Sequence, residues 1–117
     1  MRLVRDVSKV IVTAALLIPV VMAGLDAAAA EGLIVSQKRR AFNPTEVTLD
    51  QGSTLTIVND DTFVHHAFIK SDEFSFDSGE QKLGARVPIR LTEAGTFEVR
   101  CAIHPKMRLS VIVKPRA

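Results

Sequence analysis

Three stretches in the last third of this chain keep the two-residue rhythm of a β-strand: Val87, Ile89 and Leu91; Phe97, Val99 and Cys101; Leu109, Val111 and Val113. A strand sends successive side chains to opposite faces, so each trio aims into a common core while its neighbours face water. Earlier, Thr45-Glu46-Val47-Thr48-Leu49 alternates in the same way, Ser53 to Val58 is a β-prone run, and Gly32 to Gln37 has the composition to begin another strand. Turn-forming residues divide these runs at Asp50-Gln51-Gly52, Asn59-Asp60-Asp61, Ser78-Gly79-Glu80, Gly84 and Glu93-Ala94-Gly95. Short strands separated by turns, without a sustained helical period or an internal repeat, predict an all-β domain. A small antiparallel sandwich or barrel is expected rather than repeated βαβ units. Phe63 to Lys82 fits this rhythm least well and is expected to hold a bent strand or an irregular crossover. Phe42, Phe68 and Phe97 are read as core residues, with Phe74 and Phe76 covering the crossover.

The first thirty residues do not belong to that pattern. Met1 to Lys9 is a short basic start, Val10 to Leu25 is uncharged and mostly apolar, and Ala28-Ala29-Ala30 supplies small residues before Glu31. This order of charge, apolar run and small residues is that of a secretory signal, with cleavage expected after Ala30. The apolar run falls short of the roughly 20 residues that span a bilayer as a helix. Residues 1–30 are therefore expected to be a signal peptide and 31–117 the folded domain, exported, with the periplasm the expected compartment. A core of 87 residues is modest, and Cys101 is the only cysteine, so no internal disulfide can support it. An unpaired thiol in an oxidising compartment needs protection, a partner or a metal.

Beyond Ala30 the chain carries 12 Lys and Arg against 11 Asp and Glu, close to neutral. That balance lacks the strong basic field of a nucleic-acid binder, and Lys38-Arg39-Arg40 is too short a run to change it. Asp72, Glu73, Asp77 and Glu80 are expected on the solvated surface.

The dense chemical feature is Cys101-Ala102-Ile103-His104-Pro105-Lys106-Met107, which spaces a thiol, an imidazole and a thioether three residues apart. A strand ending at Cys101 and a tight loop through His104 and Pro105 brings these groups around one ion, and the ring of Pro105 restricts the loop. A second imidazole, at position 65 or 66, can arrive from another strand. Thiolate, two imidazoles and a weak axial thioether form the ligand set of blue copper electron-transfer sites. Structural zinc sites use four strong ligands and gain little from methionine, so copper is the favoured metal.

Three stretches together resemble the cupredoxin family, in its small plastocyanin and amicyanin-like branch. They are Phe42-Asn43-Pro44 with Val47, Leu49 and Gly52; Val58-Asn59-Asp60-Asp61 leading to His65; and Cys101 to Met107. The resemblance covers nearly all of Gly32 to Lys114. It implies a Greek-key β-sandwich, one copper ion, and ligands at His65, Cys101, His104 and Met107. His66 stands where relatives commonly carry an asparagine that links the early histidine segment to the cysteine loop. With Asn59 and Pro105, it is a candidate supporting residue. Lys106 replaces an aromatic residue of the amicyanin pattern, placing a charge on the rim of His104.

The function this implies is one-electron transfer between redox proteins, such as a dehydrogenase donor and a cytochrome acceptor, in amine oxidation or respiratory electron transfer. A monomer without a small-molecule substrate or nucleic-acid partner is expected. A second copper cluster and a paired acid and base are both missing from the sequence, which argues against an enzyme. Competing readings are a copper-trafficking module and a structural β-domain with incidental sulfur and imidazoles.

Overall fold

The computed structural model describes residues 13–16 and 32–116. Most of the expected leader lies outside the described residues. Nine strands follow in chain order: β1 (Leu33–Lys38), β2 (Ala41–Asn43), β3 (Glu46–Asp50), β4 (Thr54–Asn59), β5 (Ala67–Lys70), β6 (Ser75–Asp77), β7 (Arg86–Arg90), β8 (Gly95–Cys101) and β9 (Arg108–Lys114). They form two sheets, ordered β2-β1-β4-β7 and β3-β9-β8-β5-β6, and no helix occurs among the described residues.

The alternating trios do what their spacing requires. Phe97, Val99 and Cys101 on β8 and Leu109, Val111 and Val113 on β9 are all buried, and β8 and β9 pair antiparallel with Phe97 opposite Val111. Val35, Leu55, Ile57 and Ile89 bury the inner face of the other sheet. Each such aliphatic side chain removed from water contributes about 1.5–3 kcal/mol. Pro88, which has no N–H to donate, stands on the edge strand β7, where the missing bond costs least.

The sandwich is mixed rather than purely antiparallel. β1 runs parallel to β4 and β3 parallel to β9, while the remaining pairs are antiparallel. The chain changes sheets between β2 and β3, at Pro44, which a cis peptide joins to Asn43. Thus β3 separates β2 from β4 in sequence and β4 returns beside β1 in the same direction. Alternation reports which face a residue occupies, but not which strand lies beside it.

The segment from Phe63 to Lys82 resolves into the β5–β6 hairpin, with Ile69 opposite Phe76. Phe68 departs from its expected place. Its neighbours Ala67 and Ile69 fill the inward positions of β5, so Phe68 faces outward and is only partly buried. Phe74 packs against Phe97 with ring centroids 5.7 Å apart.

Two local features prepare the site. Cys101 is the last inward position of β8, so strand parity delivers its thiol to one end of the core. At that end the β1–β2 hairpin turns through Arg39 and Arg40, with φ of 55° and 56°. Two-residue hairpin turns of this kind favour Asn-Gly, and each non-glycine residue in the left-handed region costs on the order of 1 kcal/mol.

Candidate metal centre

His65, Cys101 and His104 meet at the end of the sandwich. His65 Nδ1 lies 3.7 Å from Cys101 Sγ, His104 Nδ1 lies 3.8 Å from the same sulfur, and the two ring nitrogens are 3.2 Å apart. A point equidistant from these three atoms lies about 2.1 Å from each, as the lengths of the three sides require. Metal–imidazole bonds run about 2.0–2.1 Å and metal–thiolate bonds about 2.3 Å, taking zinc as the guide. The triangle therefore fits one first-row transition-metal ion. Two imidazole nitrogens and a buried sulfur, each within 3.8 Å of the others, make a donor set suited to such an ion.

Each donor arrives by a different route. Cys101 comes from strand parity, and the N–H of His66 points at its sulfur from 3.4 Å. His104 comes from the loop that joins β8 to β9, where the Met107 N–H donates to the His104 carbonyl at 3.0 Å and closes the turn. The Met107 side chain is buried. His65 comes from the approach to β5, pinned by reciprocal backbone bonds with Gln81 of 3.1 and 2.7 Å.

The His65 ring is fully buried, and its Nε2 lies 2.9 Å from Asp61 Oδ2. A proton on Nε2, donated to that carboxylate, leaves the Nδ1 lone pair facing Cys101 and His104. Asp61 also accepts from the Arg40 N–H at 2.8 Å and the Thr62 N–H at 2.8 Å. Burial alone would raise the Asp61 carboxyl, but these bonds and the His65 contact outweigh it and hold the group at about 2. One carboxylate thus ties the β1–β2 turn to the ring of His65.

Asn59 organises the same loop. Its side-chain amide donates to the carbonyls of Phe63 at 2.9 Å and Gln81 at 3.0 Å, while its oxygen accepts from the Asp61 N–H at 3.0 Å. His66 supplies only its backbone to the site. Its carbonyl accepts from Ala102, and its imidazole, partly exposed, turns away to the carboxylate of Asp77. The Asp77 carboxyl is held below its ordinary value, first by the Gly79 N–H and then by His66. Pro105 is exposed on the loop, its carbonyl accepting from Arg100 at 3.1 Å.

His104 differs from His65 in being partly exposed. Its ring meets the edges of Phe63 and His65, with centroids 6.1 and 4.9 Å away. Burial lowers its pKa, and the charges of His65 and Arg40 lower it further against the opposing pull of Asp61, which favours the neutral ring a metal needs.

Several contributors were not singled out from sequence. The sequence marks Asp61 as a turn residue, although an acid four positions before His65 also fits the bond it makes to that ring. Gln37 and Gln81 form a fully buried amide pair at 2.9 Å beneath the His65 segment, and nothing in their surroundings marks them. In sequence Arg40 is one of three consecutive basic residues, yet in the fold its guanidinium sits 4.1 Å above the Phe63 ring.

A family model for copper-binding proteins of the plastocyanin/azurin family matches residues 30–114. Among solved structures, a reduced amicyanin variant is similar at 25% identity and a TM-score of 0.65, covering 69% of this chain and 80% of its own. A second amicyanin variant, in a reduced Cu(I) form at pH 4, aligns at 26% identity and a TM-score of 0.66 over 75% of this chain and 88% of its own. A purple cupredoxin from Nitrosopumilus maritimus shares the fold at 20% identity and a TM-score of 0.63, over 70% of this chain and 99% of its own. No curated protein sequence matches significantly.

Proposed function

The chain belongs to the plastocyanin/azurin family of copper-binding proteins, and on that premise we propose that it is an exported one-electron carrier between two redox proteins. His65, Cys101, His104 and Met107 are its proposed copper ligands, and the donor triangle is the observation that carries the reading. When bound, copper supplies a Cu(II)/Cu(I) couple that accepts and releases one electron.

The protein's own residues explain how this couple would be used. Sandwich strands and buried hydrogen bonds hold the donors in place, so little rearrangement accompanies the change of charge, and a small rearrangement lowers the barrier to transfer. The His66 N–H directed at Cys101 Sγ moderates the electron density of the thiolate. Met107 offers a soft, weak donor that adjusts the relative stability of the two oxidation states. His104, partly exposed, provides the edge through which an electron reaches a docked protein. Asp61 fixes the proton of His65 on Nε2 and keeps that side of the site closed.

Electron exchange tests the proposal. Reduced and oxidised copper-loaded protein, mixed in equal amounts, should exchange electrons rapidly by NMR line broadening while copper stays bound in both states. Copper passing instead to a competing chelator from the reduced form would favour delivery over electron transport. Export is tested separately by intact mass: the mature chain should begin near Glu31, and an exported product retaining residues 1–30 would overturn it.

A further inference from the structure

The surface beside His104 has a composition that electron transfer alone does not require. A shallow hollow of about 330 Å³ is lined by Arg40, Ile103, His104, Pro105 and Lys106. Ile103 is 48% exposed and Phe63, beside it through His104, is 40% exposed, so large apolar surface is left to solvent around the most accessible imidazole of the site. Two cations border it and no acid does. Neither Arg40 nor Lys106 takes part in an ion pair among the described residues, whereas Arg100 and Arg108 lie near Glu98.

Arg40 is held there rather than merely present. It occupies a left-handed turn position that favours glycine, its N–H is fixed by Asp61, and its guanidinium lies over Phe63. Stacked in this way, the guanidinium spends its face on the ring and keeps its N–H edges available for a carboxylate. The acidic side chains Asp72, Glu73, Asp77 and Glu80 are gathered instead on the β5–β6 hairpin and the segment after it. The near-neutral total thus conceals an uneven surface: the side chains lining the hollow include two cations and no carboxylate, while the buried carboxylate of Asp61, which also acts on His104, offsets part of that charge.

On the carrier reading a partner docks over His104, where Phe63, Ile103 and Pro105 meet its apolar surface; we propose that the partner's own transfer site is fringed by carboxylates, and that Arg40 and Lys106 select it by pairing with them. The inference rests on the electron-carrier reading and adds the chemistry of the partner. Apolar contact sets the approach of the two centres, and the cations select the partner and speed its arrival.

The test uses the copper-loaded, reduced protein and two small oxidants of opposite charge, hexacyanoferrate(III) and tris(1,10-phenanthroline)cobalt(III). For the anion, Arg40→Gln with Lys106→Gln should lower the second-order rate constant roughly three- to tenfold at low ionic strength, with the difference shrinking as salt is added. For the cobalt complex the rate should hold or rise. The copper spectrum of the double variant, measured alongside, should match the parent, and any fall in midpoint potential from the loss of two nearby cations acts in the same direction on both oxidants. Arg90→Gln with Lys114→Gln removes the same charge from the far ends of β7 and β9 and should change the anion rate much less. An equal loss with both oxidants, an unchanged anion rate, or an equal loss in the far-end variant would overturn the docking inference while leaving the carrier reading standing. If the parent protein reacts with neither oxidant, the carrier reading falls and the inference falls with it. As a binding check, poly-L-glutamate added to the Cu(I) protein should shift NMR signals of Arg40, Phe63, Ile103 and Lys106; shifts confined to other cations would contradict the proposal.

Discussion

The two imidazoles of the donor triangle sit in opposite surroundings. His65 is sealed in the core, braced by a carboxylate and pinned by Gln81, whereas His104 is partly exposed on a short loop between apolar and cationic side chains. The inner flank is built from polar groups whose hydrogen bonds are nearly all internal, and the outer flank from groups still open to a partner. On the proposed function, this division gives retention of the ion to the first and traffic of the electron to the second.

Removing the inner ring should have the largest effect. His65→Ala should abolish the copper-thiolate band and weaken copper binding by more than the roughly 10- to 100-fold typical of changes outside the ligand set. If His65→Ala keeps that band while His66→Ala loses it, the two neighbouring histidines have exchanged roles and the inner flank is misplaced.

Asp61→Asn comes next. An amide can still accept from His65 Nε2 but brings no charge, so copper affinity by titration should fall about tenfold with the visible band retained. The carboxylate also matters to stability. Its pKa of about 2 lies below the ordinary carboxylate value, so its stabilising contribution is complete above pH ~4 and is lost as the pH falls towards 2. Acid unfolding of the metal-free protein, followed by circular dichroism, should show that loss, and Asp61→Asn should flatten it. Identical acid curves would remove Asp61 from the bracing of the inner flank.

Met107→Leu lies between the flanks and should be milder. The exchange nearly conserves volume, so thermal stability should drop by less than about 1.5 kcal/mol. Copper should remain bound, and the midpoint potential should rise because a donor to the oxidised ion has gone. A potential unchanged by voltammetry would exclude the thioether as a ligand. His66→Ala should do least, since the backbone of His66 meets the site while its ring faces Asp77. Its spectrum should persist with affinity altered by less than tenfold.

The two flanks also differ in how far the sequence disclosed them. Strand parity placed Cys101 inward, and the spacing through His104 to Met107 described the short loop, because period-two alternation and local spacing are written directly into the chain. Family resemblance chose His65 over His66. The bracing of His65 was much less legible, since Asp61 and Gln81 act across 4 and 16 residues through a fold whose mixed strand directions alternation does not encode. Phe68 shows the same limit: hydrophobicity alone placed it inside, while the parity of Ala67 and Ile69 puts it on the outer face. The importance of Arg40 depended on Phe63 and Asp61 coming beside it, which composition could only register as three basic residues in a row.

Optical titration of the mature protein with Cu(II) tests the central claim most directly. One equivalent should produce an intense visible thiolate-to-Cu(II) band in the parent and none in Cys101→Ser, with the variant still folded by circular dichroism. A parent that binds copper without that band, or a Cys101→Ser variant with the parent's spectrum, would contradict the assigned centre.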